Sequence, residues 1–416
     1  MAIAYRNGVL CAEGVALDEI ARRVGTPCYV YSRQAIEAAY REFSSALSGH
    51  AAMVAYSVKA NSNLAILSLL ARCGAGFDIV SGGELARVLA AGGDARKVLF
   101  SGVGKSEQEI VQALEAEILC LNVESEAELD RIAAIAARLG RRAPVAFRVN
   151  PDVDARTHPY ISTGLRQNKF GVPYADAEAL FRRAARMSQV EVVGIGCHIG
   201  SLMLSASPFV DAAARIVSLA DRLRRGGVPL SHIDLGGGFG IRYRDENPAP
   251  VREFIAGALA ALTGRAETLI VDPGRSLVGN AGLLLTRVEY VKPGEAKNFL
   301  VVDAAMSELI RPALYDAWHE VRSVREPEPR APKVVYDVVG PVCESGDFLA
   351  RDRALAARQG DLLALMSAGA YGMVMSSNYN SRPHAAEVLV DGPNFHVVRR
   401  RQTLEELYTG ESIPAW

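Results

Sequence analysis

Residues 51–80 read AAMVAYSVKANSNLAILSLLARCGAGFDIV. The stretch opens on an apolar run, AAMVAYS, and the polar Lys59 and Asn61 follow it at once. NLAILSLLARCG (63–74) then spaces its apolar residues three and four apart, as a one-sided helix does. GFDIV (76–80) is a second short apolar run. Strand, polar turn, helix and strand make one βαβ unit, so the fold depends on how often the unit repeats. Further apolar runs occur at KVLF (97–100), EILCLN (117–122), PVAFRV (144–149), VEVVGIGC (190–197), HIDL (232–235) and TLIVD (268–272). Alanine-rich helical stretches such as GELARVLAAGG (83–93) and EAELDRIAAIAARLG (126–140) lie between them. Near-continuous Val/Ile/Leu strands are what a helix-covered parallel sheet requires. Eight strand–helix repeats predict a closed (β/α)8 TIM barrel, with an open doubly wound sheet as the alternative.

The rhythm changes near residue 280. LLLTRVEYVK (283–292), KNFLVVDA (297–304), KVVYDVVG (333–340), DLLALMSAG (361–369), AAEVLVDG (385–392) and NFHVVRR (394–400) read as strands with Gly, Pro, Asp and Asn at the turns. They predict an all-β domain, sandwich- or barrel-like. YRNGVLCAEG and PCYVYS near the N-terminus are strand-like and are expected to join it, since chain ends often lie together. The expected division is a barrel over 31–275 and a β domain from 1–30 with 276–416, the latter supplying substrate-binding and dimer-interface residues.

Composition narrows the function classes. A chain of 416 residues can hold two sizeable cores, and a net charge of -1 gives phosphate backbones little to bind, so no nucleic-acid partner is expected. No apolar run reaches the length of a membrane span, and MAIAYRNGVLCAEG lacks the regions of a signal peptide, so a cytoplasmic protein is expected. The cysteines at 11, 28, 73, 120, 197 and 343 include no C-x-x-C pair, which argues against zinc or a disulfide framework. Cys120 and Cys197 sit in apolar runs and read as core residues.

The polar residues gather after the strands, and in a barrel all those ends face one rim, where active sites form. Lys59 is either a Schiff-base lysine or a lysine snorkelling to the rim. Buried, its ammonium would lose solvation and become a better amine nucleophile. DLGGGFGI (234–241) carries Gly236, Gly237 and Gly238 straight after a strand, where exposed N–H groups could cradle a phosphate or merely form a tight turn. Arg275 in DPGRS could clamp the same phosphate or a carboxylate. His198 could stack on a flat cofactor or hold a proton. A lysine for a Schiff base, glycines for a phosphate and an acid for a ring nitrogen fit pyridoxal 5'-phosphate. In the β domain Arg311 could take a substrate carboxylate, with Tyr315 beside it, and YGMVMSSNYNSR (371–382) offers Tyr371, Asn378 and Tyr379. GPVCESGD (340–347) puts Cys343 next to Glu344 without showing what either does.

YSVKAN, CHIGS, GGGFG, PGR, CESGD and GAYGMVMSSNYNSRP, in this order, resemble the diaminopimelate decarboxylases, pyridoxal-phosphate enzymes with an alanine-racemase-like barrel. The resemblance implies decarboxylation of meso-2,6-diaminopimelate to L-lysine and carbon dioxide through an external aldimine, the last step of lysine biosynthesis. It implies a homodimer with active sites at the interface. Lys59 would carry the cofactor and His198 would stack on its ring. Ser201, Gly236, Gly237, Gly238, Gly274 and Arg275 would serve the phosphate and substrate, and Asp272 would face the ring nitrogen. Arg311 and Tyr315 would bind a substrate carboxylate. Glu344 would meet the distal amino group, Tyr371 would touch cofactor and substrate, and Cys343 of the partner subunit would donate the proton. Two positions depart from the family pattern: Asp272 stands where glutamate is usual, and Leu202 follows HIGS where glutamine is common. Competing functions are decarboxylation of ornithine, arginine or a carboxylated polyamine, an amino-acid racemase, and a cofactor-binding protein without catalysis.

Overall fold

The structure, a computed structural model, describes residues 2–153 and 169–416. The eight apolar runs are eight strands: β1 (Ala52–Ser57), β2 (Gly76–Ile79), β3 (Val98–Phe100), β4 (Cys120–Val123), β5 (Ala143–Asn150), β6 (Val190–Gly196), β7 (His232–Asp234) and β8 (Thr268–Val271). Neighbours pair in parallel, and β8 pairs back onto β1 with Leu269 beside Ala52. Each of the eight strands has a neighbour on both sides, with Val172–Pro173 added at the end of β5, so the barrel is closed and the open-sheet alternative is excluded. The start of β4 is later than EILCLN suggested. Glu117 takes a left-handed φ of 56° and closes the preceding helix, so pairing begins only at Cys120.

Helices α1 (Leu64–Arg72), α2 (Gly82–Ala90), α3 (Glu107–Glu115), α4 (Glu126–Leu139), α5 (Tyr174–Ala184), α6 (Ser207–Arg225) and α7 (Val251–Ala261) follow the first seven strands in turn. Ser81, Ser106 and Ser125 start α2, α3 and α4 by accepting an N–H from the residue three further on. Helix α4 buries Leu129, Ile132 and Ile135 on one stripe, each apolar side chain of this kind contributing about 2 kcal/mol. Inside the barrel, Ala55, Leu99, Cys120, Ala146 and Ile270 pack as one layer. The expected core cysteines are there: Cys120 and Cys197 are buried, and burial pushes both thiols well up.

The chain divides into two compact units, one of Glu37–Ile241 and Glu246–Leu277, which contains the barrel, and one of Met1–Ile36, Arg242–Asp245 and Val278–Trp416. In the second, Cys28–Ser32 lies at the centre of a sheet, antiparallel to Gly282–Lys292 and parallel to Ala386–Asp391. The N-terminal strands therefore do join the β unit. Ile3–Arg6, Val9–Ala12 and Val15–Ala16 form a small sheet of their own. Their Leu10, Ala12 and Val15 pack with Leu283, Leu285 and Val388 in one core. The long strand Gly282–Lys292 also pairs with Leu362–Leu365 and, past a bulge, with Asn298–Val302. Phe348–Leu355, antiparallel to Val334–Val339, was not anticipated from the sequence. Its middle, Arg351-Asp352-Arg353, is polar, and Asp352 at φ 54° breaks the alternation that marks a strand.

Candidate active site

Lys59 sits in a 3-10 turn, Val58–Ala60, that leaves the end of β1. Its Nζ is 3.3 Å from Oδ2 of Asp78, which lies in β2. The Lys59 side chain is 37% exposed, so the desolvated core lysine considered from sequence is not what forms. A buried carboxylate faces the ammonium instead. Asp78 is held from the barrel interior, accepting from Ser57 Oγ at 3.1 Å and from Ser101 Oγ at 2.6 Å. Ser101 in turn accepts from Asn122 Nδ2 at 2.9 Å. The amine is thus aimed by a hydrogen-bonded chain anchored on β1, β2 and β4 and in the loop after β3.

The glycine run follows β7. Gly236 and Gly238 have φ of 77° and 89°, which a side chain rarely tolerates. A Cβ on Gly236 would stand 2.5 Å from the Cys197 carbonyl oxygen, and one on Gly238 would strike that of Gly200. The run is therefore zipped against the loop after β6, where Met203 N–H donates to Gly238 O at 2.9 Å and Gly240 N–H to Met203 O at 2.9 Å. Leu202, the residue that departs from the family pattern, makes the turn into this pairing with a φ of 62°. In the same loop, Ser201 Oγ accepts from Arg275 NH2 at 3.2 Å. Arg275 is buried at the start of the short helix Arg275–Val278, and Gly274 before it lets the chain approach Ser57 and Ala60.

His198 Nδ1 accepts the Gly237 N–H at 3.3 Å, so the ring's proton is on Nε2. Burial first, then the charges of Lys59 and Arg148, hold its pKa well below the usual imidazole value. Asp272, just beyond β8, is buried, and Oδ1 has no hydrogen-bond partner. Burial first, then Asp234 and Asp78, hold its carboxyl well above the carboxylate range. Asp234 accepts the Gly236 N–H at 2.9 Å and is pushed up to about 7, chiefly by burial. With His198 neutral and Asp272 driven toward its protonated form, their 3.9 Å approach is not an ion pair.

The remaining predicted residues belong to the β unit. Arg311 is buried at the start of the helix Arg311–Tyr315, whose last residue is exposed. Tyr371 is half-buried with a left-handed φ of 55°. Cys343 and Glu344 are exposed, and Cys343 N–H donates to Asn380 Oδ1 at 2.9 Å. Asn378 is structural, its amide donating to Arg382 O at 2.8 Å and to Gln402 Oε1 at 2.7 Å. Of the polar residues that end or follow strands, Asn61 and Asn150 likewise serve turns, accepting the N–H groups of Asn63 and Asp152.

Residues 33–279 match the family described as pyridoxal-dependent decarboxylase, pyridoxal binding domain. A diaminopimelate decarboxylase of Pseudomonas aeruginosa is 59% identical over 409 residues, covering 98% of each chain. The chain belongs to the diaminopimelate decarboxylase family. Two solved members agree in fold. The Helicobacter pylori diaminopimelate decarboxylase complexed with L-lysine has a TM-score of 0.92 at 42% identity, covering 95% of this chain and 99% of its own. That of M. jannaschii, also with L-lysine, has a TM-score of 0.94 at 36% identity, covering 99% and 98%.

The barrel residues fit the cofactor of this family. Asp272 Oδ1, buried and unpartnered, is an acceptor that lacks a donor, and a protonated ring nitrogen would restore its charge. The Gly236 and Gly237 N–H groups are given to Asp234 and His198, so the glycine run shapes the loop, and the donors of the kind a phosphate takes are the Arg275 guanidinium and the Ser201 hydroxyl. Asp78, which the sequence shows only as one residue of an apolar run, is the partner of Lys59. Its signal was a carboxylate inside the apolar run GFDIV. Asp234 carried the same signal inside HIDL.

Proposed function

We infer that this chain decarboxylates meso-2,6-diaminopimelate to L-lysine and carbon dioxide with pyridoxal 5'-phosphate as cofactor, the lysine-forming step of the pathway. The observation that carries the reading within the chain is Lys59 on Asp78 at the same rim as the unpartnered Asp272. The cofactor, when bound, supplies a carbonyl carbon for an amine and an electron sink for the bond to carbon dioxide. Lys59 Nζ is the amine that holds it, oriented by Asp78. Asp272 keeps a proton on the ring nitrogen. Its buried carboxyl resists ionisation on its own, so it is strongly disposed toward a cationic partner. His198 packs as a neutral ring and adds no positive charge to compete with that partner. Ser201 and Arg275 hold the phosphate beside the loops that Gly236, Gly237, Gly238 and Gly274 shape, and Tyr371 touches cofactor and substrate.

The substrate carries an amino-acid group at each end, which calls for ligands of both signs. Arg311 and Tyr315 take a carboxylate, and Glu344 takes the distal ammonium. The thiol of Cys343 returns the proton after carbon dioxide leaves. Two copies of the chain associate, and each supplies Cys343 and Glu344 to the other; the exposure of both side chains in the single chain supports this. The reaction takes place in the cytoplasm. The test measures carbon dioxide release from meso-diaminopimelate, ornithine and arginine by the wild type and K59A. Turnover of meso-diaminopimelate alone, abolished in K59A, is expected. Turnover of ornithine or arginine without it refutes the assignment.

A further inference from the structure

We propose that His319 is a positioning residue for the substrate-binding guanidinium of Arg311, and that it works only as the neutral imidazole protonated on Nδ1. The proposal rests on the reading of Arg311 as the ligand of a substrate carboxylate. Arg311, Tyr243, His319 and Met366 all belong to the β unit. His319 is fully buried and Arg311 nearly so. Its two ring nitrogens meet opposite demands. Nε2 is 2.9 Å from Arg311 NH1, and Nδ1 is 2.8 Å from the carbonyl oxygen of Met366.

A guanidinium has donors only, and a carbonyl oxygen accepts only. Nε2 must therefore present its lone pair and Nδ1 must carry the proton. Protonating the second nitrogen would set an N–H against an N–H and two cations 2.9 Å apart. The ring is fully buried, and the backbone just after it is tied to the segment that carries Met366, so it has no open space to swing into. Met366 N–H donates to Glu320 O at 2.8 Å, and Val321 pairs with Leu365 next to it.

Tyr243 completes the mount. The Arg311 guanidinium carbon lies 4.8 Å from the Tyr243 ring centroid, and the Tyr243 and His319 rings meet edge to face at 5.5 Å. One edge of the guanidinium plane is thus set by His319 and one face by Tyr243. Bidentate recognition of a carboxylate depends on the orientation of that plane, so His319 acts on binding through Arg311.

The test uses the enzyme loaded with pyridoxal phosphate and meso-diaminopimelate as substrate. H319F keeps the ring volume and removes both nitrogens. It should raise KM roughly 10- to 100-fold, the range for one hydrogen bond to a charged group, with kcat changed by less than about threefold. H319Q, whose amide can accept from Arg311 and donate to Met366, should recover most of the loss. R311M separates the two readings. An unchanged KM in R311M refutes Arg311 as a substrate ligand, whereas a raised KM in R311M with wild-type KM in H319F refutes the role of His319 alone. The tautomer is read independently from the 15N imidazole shifts of the wild type, which does not require any variant to fold. A bare Nε2 and a protonated Nδ1 are expected, and a cationic ring or an Nε2–H ring overturns the proposal.

Discussion

Replacing Asp234 by asparagine should stabilise the cofactor-free protein, and more so at higher pH. Asp234 is buried inside the barrel, where its pKa is pushed from 3.8 to about 7, by burial first and by Asp78 among its neighbours. The difference of about 3 units, at roughly 1.4 kcal/mol per unit, corresponds to about 4 kcal/mol. The sign follows from proton binding. Between pH 3.8 and about 7 the folded chain holds this proton while the unfolded chain has released it, so stability falls as pH rises and the whole cost is present above about 7. Asparagine bears no such cost, and its side-chain oxygen can still accept the Gly236 N–H that Asp234 accepts. D234N should therefore exceed the wild type by about 2 kcal/mol near pH 5.5 and by about 4 kcal/mol near pH 8. Urea unfolding of both cofactor-free proteins at the two pH values measures this. A D234N advantage that does not grow with pH, or a D234N protein less stable than wild type near pH 8, would refute the assignment of Asp234 as a destabilising buried acid. The price in function should appear on loading, because Asp234 is one of the charges that hold Asp272 up.

Three further outcomes test other parts of the structure. G238A places a methyl group against the Gly200 carbonyl at a φ of 89°, so cofactor affinity, followed by absorbance, should drop at least tenfold, by roughly 1.4 kcal/mol or more; wild-type affinity would mean the run is only a turn. C343A alters an exposed side chain, so its melting temperature should match wild type while kcat falls by roughly 10²- to 10⁴-fold, and full kcat would place the proton donor elsewhere. K105M breaks a buried ion pair in which Lys105 Nζ meets Glu128 Oε1 at 2.7 Å and also donates to the carbonyls of Gly102 and Asn122. Leaving Glu128 unpaired should cost about 3–5 kcal/mol in denaturant unfolding, and a loss below about 1 kcal/mol would contradict the burial of that pair.

The barrel was legible because its signal is local. Each strand is an apolar run of a few residues and each helix a stripe, and both periods are written within a dozen residues. Phe348–Leu355 was not legible because its middle is polar and a bulge at Asp352 interrupts the alternation. The rim residues were legible as a set, since each follows a strand, but their division of labour was not. Lys59, Asn61 and Asn150 look alike in sequence as polar groups after strands. Only pairing shows that Lys59 faces a carboxylate while the two asparagines brace turns.

The sequence by itself determined the strand–helix rhythm, the change to β structure near residue 280, and a family pattern specific enough to name the chemistry. Tertiary structure decided what depends on residues far apart in the chain. Asp78 reaches Lys59 because β2 lies beside β1, and His319 is held for Arg311 because Met366, just past the strand Leu362–Leu365, takes its other nitrogen. Asp272 is driven toward its neutral form by burial first and then by Asp234 and Asp78, which other strands of the closed barrel bring near it. Charges and hydrogen bonds act through space, so their strength is set by distances and burial that a linear pattern does not contain.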